Sequence, residues 1–141
     1  RYENFGKTAA RLDDVVNWPA ARIAGCSVAI SSLFLGGVSA THRAFKVMFR
    51  DARQHRSPNA GWPEGAFSGA LNIALAGPRT YDGKLVDGHW VGGEGERNSD
   101  AVFIKAALQL YVLSCAFVAA LFALAVFVGS SFGYFQHSLY F

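Results

Sequence analysis

From Ala106 to Phe135 the chain carries no charged side chain, and its first part, Ala106–Val128, is almost wholly apolar. A helix of roughly 20 apolar residues crosses a hydrocarbon core of about 30 Å. Such a segment must satisfy its own backbone polar groups, because lipid offers no partners. Residues 106–128 are therefore predicted to form a transmembrane helix, with 129–141 as a tail. Everything else in the chain has to pack around or beside that helix.

A second apolar stretch, Ile23–Ala40, lies between Arg22 and His42-Arg43. It is 18 residues long and uncharged, with four serines and three glycines. That length is at the lower edge for a crossing, so the stretch reads as an apolar span or a re-entrant segment. With 52% apolar and 16% charged residues, against roughly a quarter charged in soluble domains, the chain reads as one membrane domain. It opens on Arg1 without a leader pattern and is expected to be a fragment of a longer protein. Cys26 and Cys115 stand alone inside the apolar segments, and are expected to be small buried side chains with no metal or redox role.

Charge is distributed unevenly. Four Lys/Arg precede Ile23, nine lie between Ala40 and Ala106, and none follows Lys105. The positive-inside rule then predicts a multi-pass protein of the cell (inner) membrane, with a 42–105 loop in the cytoplasm. Seven carboxylates offset the nine cations of that loop, and both its ends are tethered to membrane. Nucleic acid is excluded as a partner on these grounds.

Residues 3–18 read as an amphipathic helix, with Lys7, Arg11 and Asp14 on one side and Phe5, Ala9, Leu12 and Val16 on the other. Pro19 is expected to end or kink it. Residues 42–56 continue as a basic amphipathic stretch, and Ser57-Pro58-Asn59 is a turn. Gly61-Trp62-Pro63-Glu64 opens a short helix expected to reach about Ala76 and stop at Gly77-Pro78. Within it Gly61, Gly65 and Gly69 form a small-residue stripe along which another helix can approach closely. Asp82-Gly83 and Asp87-Gly88 punctuate the strand-like pieces 79–81, 84–86 and 89–91, which predicts a small hairpin. Residues 92–97 read as a flexible loop, and Ser99 or Asp100 as the cap of the last helix. The fold class expected is mainly α: a polytopic integral membrane protein whose polar loop holds a Gly-stripe helix and a small hairpin.

The chemistry is concentrated at 50–64, Arg-Asp-Ala-Arg-Gln-His-Arg-Ser-Pro-Asn-Ala-Gly-Trp-Pro-Glu. Guanidinium groups bind phosphate bidentately, and a helix would line up Arg50, Arg53 and the region of Arg56 along one side, with Arg79 following. A phosphate cradle and an anchor for lipid head groups both account for these cations. Asp13, Asp14, Asp51 and Glu64 are the residue types that hold Mg²⁺ alongside substrate phosphates; surface charge is the other reading. His55 adds an imidazole able to donate or accept near neutral pH. No Walker-type loop, Gly-x-Ser-x-Gly or His-Glu-x-x-His occurs.

The string at 50–64 closely resembles a signature of the adenosylcobinamide-phosphate synthases, the integral-membrane CobD/CbiB family of cobalamin biosynthesis. Ala10-Arg-Leu-Asp-Asp-Val-Val-Asn17 is similar to the family's upstream Arg-Leu-Asp-Asp-x-x-Asn block, and Leu75-Ala-Gly-Pro-Arg-Thr-Tyr-Asp-Gly83 to its glycine-and-tyrosine turn. The three blocks, in order, cover roughly residues 1–110, and the chain resembles the C-terminal part of such a protein. One departure is Asn17-Trp-Pro-Ala-Ala-Arg22, where proline falls one position earlier than in the family's Ile-Pro-Ala-Arg. It bears on the helix kink and on where Arg22 points.

The resemblance implies an acid–amine ligase, an amide-forming synthase using ATP and Mg²⁺. Its corrinoid substrate, adenosylcobyric acid, would be joined through a propionate to aminopropanol or its phosphate. Membrane lipid and other late cobalamin-assembly enzymes would be partners. The resemblance marks positions, not roles; from their side-chain chemistry Arg50, Arg53, Arg56, Asn59 and Arg79 are expected to bind substrate and phosphate, Asp51, His55 and Glu64 to serve catalysis, and Asp13 and Asp14 to hold Mg²⁺. A non-catalytic membrane regulatory or scaffold protein of related architecture is the alternative. If 23–40 crosses the membrane in full, Asp13 and Asp14 lie on the opposite side from 50–64; a re-entrant segment would reunite them.

Overall fold

The first helix, α1 (Glu3–Ser31), runs through Pro19 without stopping. The stop or kink expected there does not occur. Val15, whose carbonyl loses its helical partner, and Pro19 itself both lie exposed, where the ring has room. The chain turns instead at Ser31-Ser32. The Ser32 hydroxyl donates to the Ala29 carbonyl at 2.7 Å, a local bond that competes with the helical ladder. α2 (Leu33–Asp51) leaves this corner at 117° to α1. Gly37, at φ 67° and ψ −168°, adds a second kink in a conformation that suits only glycine. Residues 23–40 are thus bent twice, and no straight crossing runs through them. A computed structural model describes the backbone of residues 3–81, 83–97 and 100–139, and the side-chain surroundings of 6–80, 83–97 and 100–131.

A single 3₁₀ turn (Ala52–Gln54) follows α2, and α3 (Gly61–Leu71) packs back onto α2. The glycine stripe makes this contact. A Cβ on Gly65 would stand 2.9 Å from the Met48 Cα, and one on Gly69 would stand 2.7 Å from the Ala44 Cα. The core beneath is small-residue packing, Ala29, Ala44, Ala66 and Ala70, sealed by Val28, Met48 and Leu110. Met48 and Leu110 are wholly buried, which contributes roughly 1.5–3 kcal/mol for each side chain.

α3 stops at Leu71, short of the expected Ala76. Asn72 takes the left-handed conformation (φ 55°, ψ 45°) and its N–H bonds to the Ser68 carbonyl, a C-terminal cap that asparagine tolerates better than most residues. The following residues are drawn into strand pairing. β1 (Leu75–Ala76) pairs antiparallel with β4 (Trp90–Val91), and β2 (Arg79–Tyr81) with β3 (Lys84–Val86). The second pair is the expected hairpin, with Gly83 at φ 74° in its tight connection; Asp82 lies outside the described residues. The third predicted strand piece does not extend that hairpin but closes onto β1. The Ser68 hydroxyl sits beneath this junction, 2.6 Å from the Ile73 carbonyl and 3.1 Å from that of Val91.

α4 (Ala101–Leu139) is capped by Asp100, whose carboxylate accepts the N–H groups of Val102 and Phe103 at 2.9 and 3.3 Å. Ser99 lies outside the described residues. The 101–131 part is the one helix among the described residues that is long and apolar enough to cross a membrane; the bent α1–α2 pair fits a broken span or a re-entrant loop. Of α4, Leu110 and Ser114 are buried against the other helices, while Val112, Phe122 and Phe127 are exposed. Cys115 falls on that exposed side and Cys26 is half-buried, so neither is the fully buried side chain expected.

Candidate functional site

α2 ends at Asp51, and His55 is already extended (φ −73°, ψ 145°). The arginines therefore do not line one helical face. Arg50 stays on α2, Arg53 on the 3₁₀ turn and Arg56 in the loop before Pro58, which disfavours further helix.

Asp51 is 1% exposed and ties the end of α2 to the loop after β4. It accepts from Arg50 Nε at 2.5 Å and Nη2 at 2.8 Å, and from the Gly92 N–H at 2.8 Å. Arg50 Nη1 also reaches Glu94. Burial pushes the Asp51 carboxyl up, but the Arg50 guanidinium and the Gly92 N–H outweigh it and leave it below the usual carboxylate range. Bonds to Asp51, and then to Glu94, hold Arg50 above its ordinary value. Glu94 is lowered chiefly by its bond from Arg50.

Two adjoining clefts open beside this clamp. The larger, about 600 Å³, is lined by Arg50, Asp51, Gln54, His89 and Glu94, among others. The smaller, about 170 Å³, is lined by His55, Arg56 and Arg79. They share Gln54 and the Asp87–His89 edge. The hairpin is what brings Arg79 back beside Arg56. Arg53 is exposed and lines neither cleft.

His55 and Glu64 meet, Nε2 to Oε2, at 3.2 Å. The Ser57 N–H lies 3.0 Å from His55 Nδ1. Nδ1 also lies 3.3 Å from the Ser57 carbonyl, to which it could donate; in the tautomer that accepts the shorter contact from the Ser57 N–H, Nε2 carries the hydrogen toward Glu64. The free lone pairs of this dyad are then on the glutamate.

Asp14 and Asn59 are also in contact. Asn59 Nδ2 donates to the Asp14 carbonyl at 2.9 Å and stands 3.5 Å from Asp14 Oδ1. Asn59 Oδ1 accepts from Arg22 Nη1 at 2.8 Å. Arg22 thus points at the 50–64 loop. Asp13, the preceding residue, is exposed and accepts from Asn17 at 3.0 Å.

Among the described residues no three His, Cys, Asp or Glu side chains converge to hold a metal. This donor set does not fit a resident ion caged by protein. Of the two carboxylates expected to hold Mg²⁺, Asp14 is the one in contact with the 50–64 loop, through Asn59.

Asp87, His89 and Glu94 escaped the sequence reading. Asp87 looked like turn punctuation and Glu94 like part of a loose glycine-rich loop. No local spacing links Glu94 to Arg50, 44 positions away.

The CobD/Cbib protein family is matched over residues 1–111. A "Cobalamin biosynthesis protein CobD" of Brucella suis biovar 1 (strain 1330) is 46% identical over 129 residues, which are 92% of this chain and 39% of the relative. Proteins of the same name from Sinorhizobium fredii (strain NBRC 101917 / NGR234) and Rhodobacter capsulatus are 44% and 48% identical. They match over 89% and 66% of this chain, and over 39% and 28% of their own lengths. The chain thus spans about two fifths of the Brucella and Sinorhizobium relatives. No solved structure matches.

Proposed function

The chain belongs to the CobD/CbiB protein family, and from that premise we propose that it forms part of a membrane ligase of cobalamin biosynthesis. The enzyme joins the free propionate of adenosylcobyric acid to aminopropanol or its phosphate and consumes ATP. The observation that carries this reading is the pair of adjoining clefts, with Arg50 in one, Arg56 and Arg79 in the other, and the His55–Glu64 dyad alongside.

A carboxylate does not react with an amine until its oxygen becomes a leaving group. In the reaction proposed, the propionate oxygen attacks the γ-phosphorus of ATP, and ADP departs. The amine nitrogen then attacks the acyl carbon, the C–O bond to phosphate breaks, and the nitrogen loses a proton. Arg50, Arg56 and Arg79 spread the phosphoryl charge. Glu64 takes the proton, because its carboxylate keeps lone pairs free while His55 holds it in place. Asp51 aims Arg50 through its bonds to Nε and Nη2. The exposed Glu94 occupies the Arg50 Nη1 that an incoming phosphate would take, and an exposed pair is cheap to exchange. Asp13 and Asp14 would hold a Mg²⁺ bound with the nucleotide, which would supply further charge neutralisation. α4 holds the assembly in the cell membrane with residues 42–105 on the cytoplasmic side.

The test uses the complete protein in lipid nanodiscs with adenosylcobyric acid, MgATP and either amine. Mass spectrometry should detect a new amide and stoichiometric ADP. R56A/R79A should raise the KM for ATP by an order of magnitude or more. No amide with either amine would sink the reading.

A further inference from the structure

Arg22 has no role in the reaction as proposed, yet its surroundings are elaborate. Its guanidinium carbon lies 4.3 Å from the Trp18 ring centroid and 4.5 Å from that of Trp62, so it makes cation–π contacts with two indoles. Nη1 donates to the Trp18 carbonyl at 3.0 Å and to Asn59 Oδ1 at 2.8 Å. Nε is buried without a hydrogen-bond partner among the described residues, and the two cation–π contacts offset that loss. Arg22 is half-buried, and its guanidinium contacts protein groups of α1 and the 59–62 turn.

Its contacts run to one place. Asn59, held by Arg22 and by the Asp14 carbonyl, offers its own carbonyl to the Trp62 N–H at 3.2 Å. The next carbonyl, of Ala60, accepts the Glu64 N–H at 3.3 Å. Trp62, in contact with Arg22, also meets Phe49 edge-on at 5.7 Å. Gly61 is pressed against Ala52 and His55 so closely that a Cβ would stand 2.8 Å from the His55 Cβ. The first turn of α3 is therefore fixed from α1 by a planar cation, and that turn carries Glu64.

We propose that Arg22, through Asn59 and Trp62, is a positioning residue that sets the His55–Glu64 contact from α1. This rests on the dyad's part in the proposed reaction. Small displacements of a reacting group are expensive, with about 1 Å costing on the order of 10²-fold in rate. Binding need not suffer, because the clefts are built by other residues.

In the complete protein in nanodiscs, R22A should lower kcat on the order of 10²-fold and move either substrate's KM less than about threefold. Because Arg22 acts through Glu64, R22A/E64Q should be no slower than E64Q alone. Selective ¹⁵N-histidine labelling gives a readout that needs no turnover: the His55 ring signals should shift in R22A and not in the exposed control K84A. R22K keeps the charge but loses the planar guanidinium that joins Trp18, Trp62 and Asn59, and carries the same test if R22A does not fold. An additive loss in R22A/E64Q, or unmoved His55 signals, overturns the proposal. If wild-type protein forms no amide, the proposed reaction fails and the His55 signals alone decide the positioning role.

Discussion

The side-chain amide of Asn59 donates to the backbone carbonyl of Asp14 at 2.9 Å, across 45 positions of chain. A hydrogen bond cannot bridge a bilayer, so if the bent α1–α2 pair enters a membrane it returns the chain to the side from which it left. Single cysteines replacing Asp13 and Arg53, both exposed, should react with a membrane-impermeant maleimide from the same side in oriented vesicles. Labelling from opposite sides would show that residues 23–40 cross in full and that this contact does not form.

Asp51 makes stability depend on acid. Its folded-state pKa lies below the ordinary carboxylate value, so between the two values the unfolded chain binds more protons and stability rises with pH. The contribution is complete above the unfolded value of about 3.9 and disappears as pH falls through the lower, folded one. D51N should lose that dependence and cost about 1.5–3 kcal/mol at neutral pH, the range for hydrogen bonds to a charged group. Thermal unfolding in detergent from pH 7 to 3 checks both; parallel curves for D51N and wild type would mean Asp51 is not the acid-sensitive group.

Gly92 stands at φ 64° with its N–H on Asp51, and a Cβ there would collide with the Ser68 hydroxyl. Left-handed backbone costs an L-residue roughly 1–2 kcal/mol before any clash. G92A should therefore lower the unfolding midpoint by several degrees and loosen the 92–95 loop, read as faster amide exchange. G83A meets nothing within 4 Å and should show the backbone cost alone. Equal losses in the two variants would remove Ser68 from the account.

The helices were legible in the sequence because their signals are local: the charge-free run of α4, the Asp100 cap and the glycine stripe of α3. The hairpin was legible from Asp82-Gly83 between strand-like pieces. Pro19 misled because proline's cost depends on what surrounds it, and exposure on α1 supplies room that no sequence window reports. The end of α3 misled because Asn72 capped it before the stronger Gly77-Pro78 signal was reached. At the site, residue types and order marked the 50–64 loop. Pairing did not follow from them, since Arg50–Glu94, Asn59–Arg22 and the β1–β4 closure all join distant segments through tertiary packing. Asp51 shows the difference most plainly: its residue type and place in the string were legible, whereas its bonds to Arg50 and to the Gly92 N–H were not.

The His55–Glu64 contact separates two roles that the sequence left joined. In the tautomer whose Nδ1 accepts the Ser57 N–H, His55 has no free lone pair, and in the proposed reaction the proton leaving the amine goes to Glu64. E64Q should therefore lower kcat by about 10²- to 10⁴-fold, the range for losing a general base. H55Q keeps a donor near Glu64 and should cost less, about 10- to 100-fold, as for loss of an orienting partner. Single-turnover amide formation, measured with saturating ATP so that binding does not intrude, compares them directly. If H55Q is as slow as E64Q while H55Q binds both substrates normally, the histidine takes the proton and the order of the dyad is reversed.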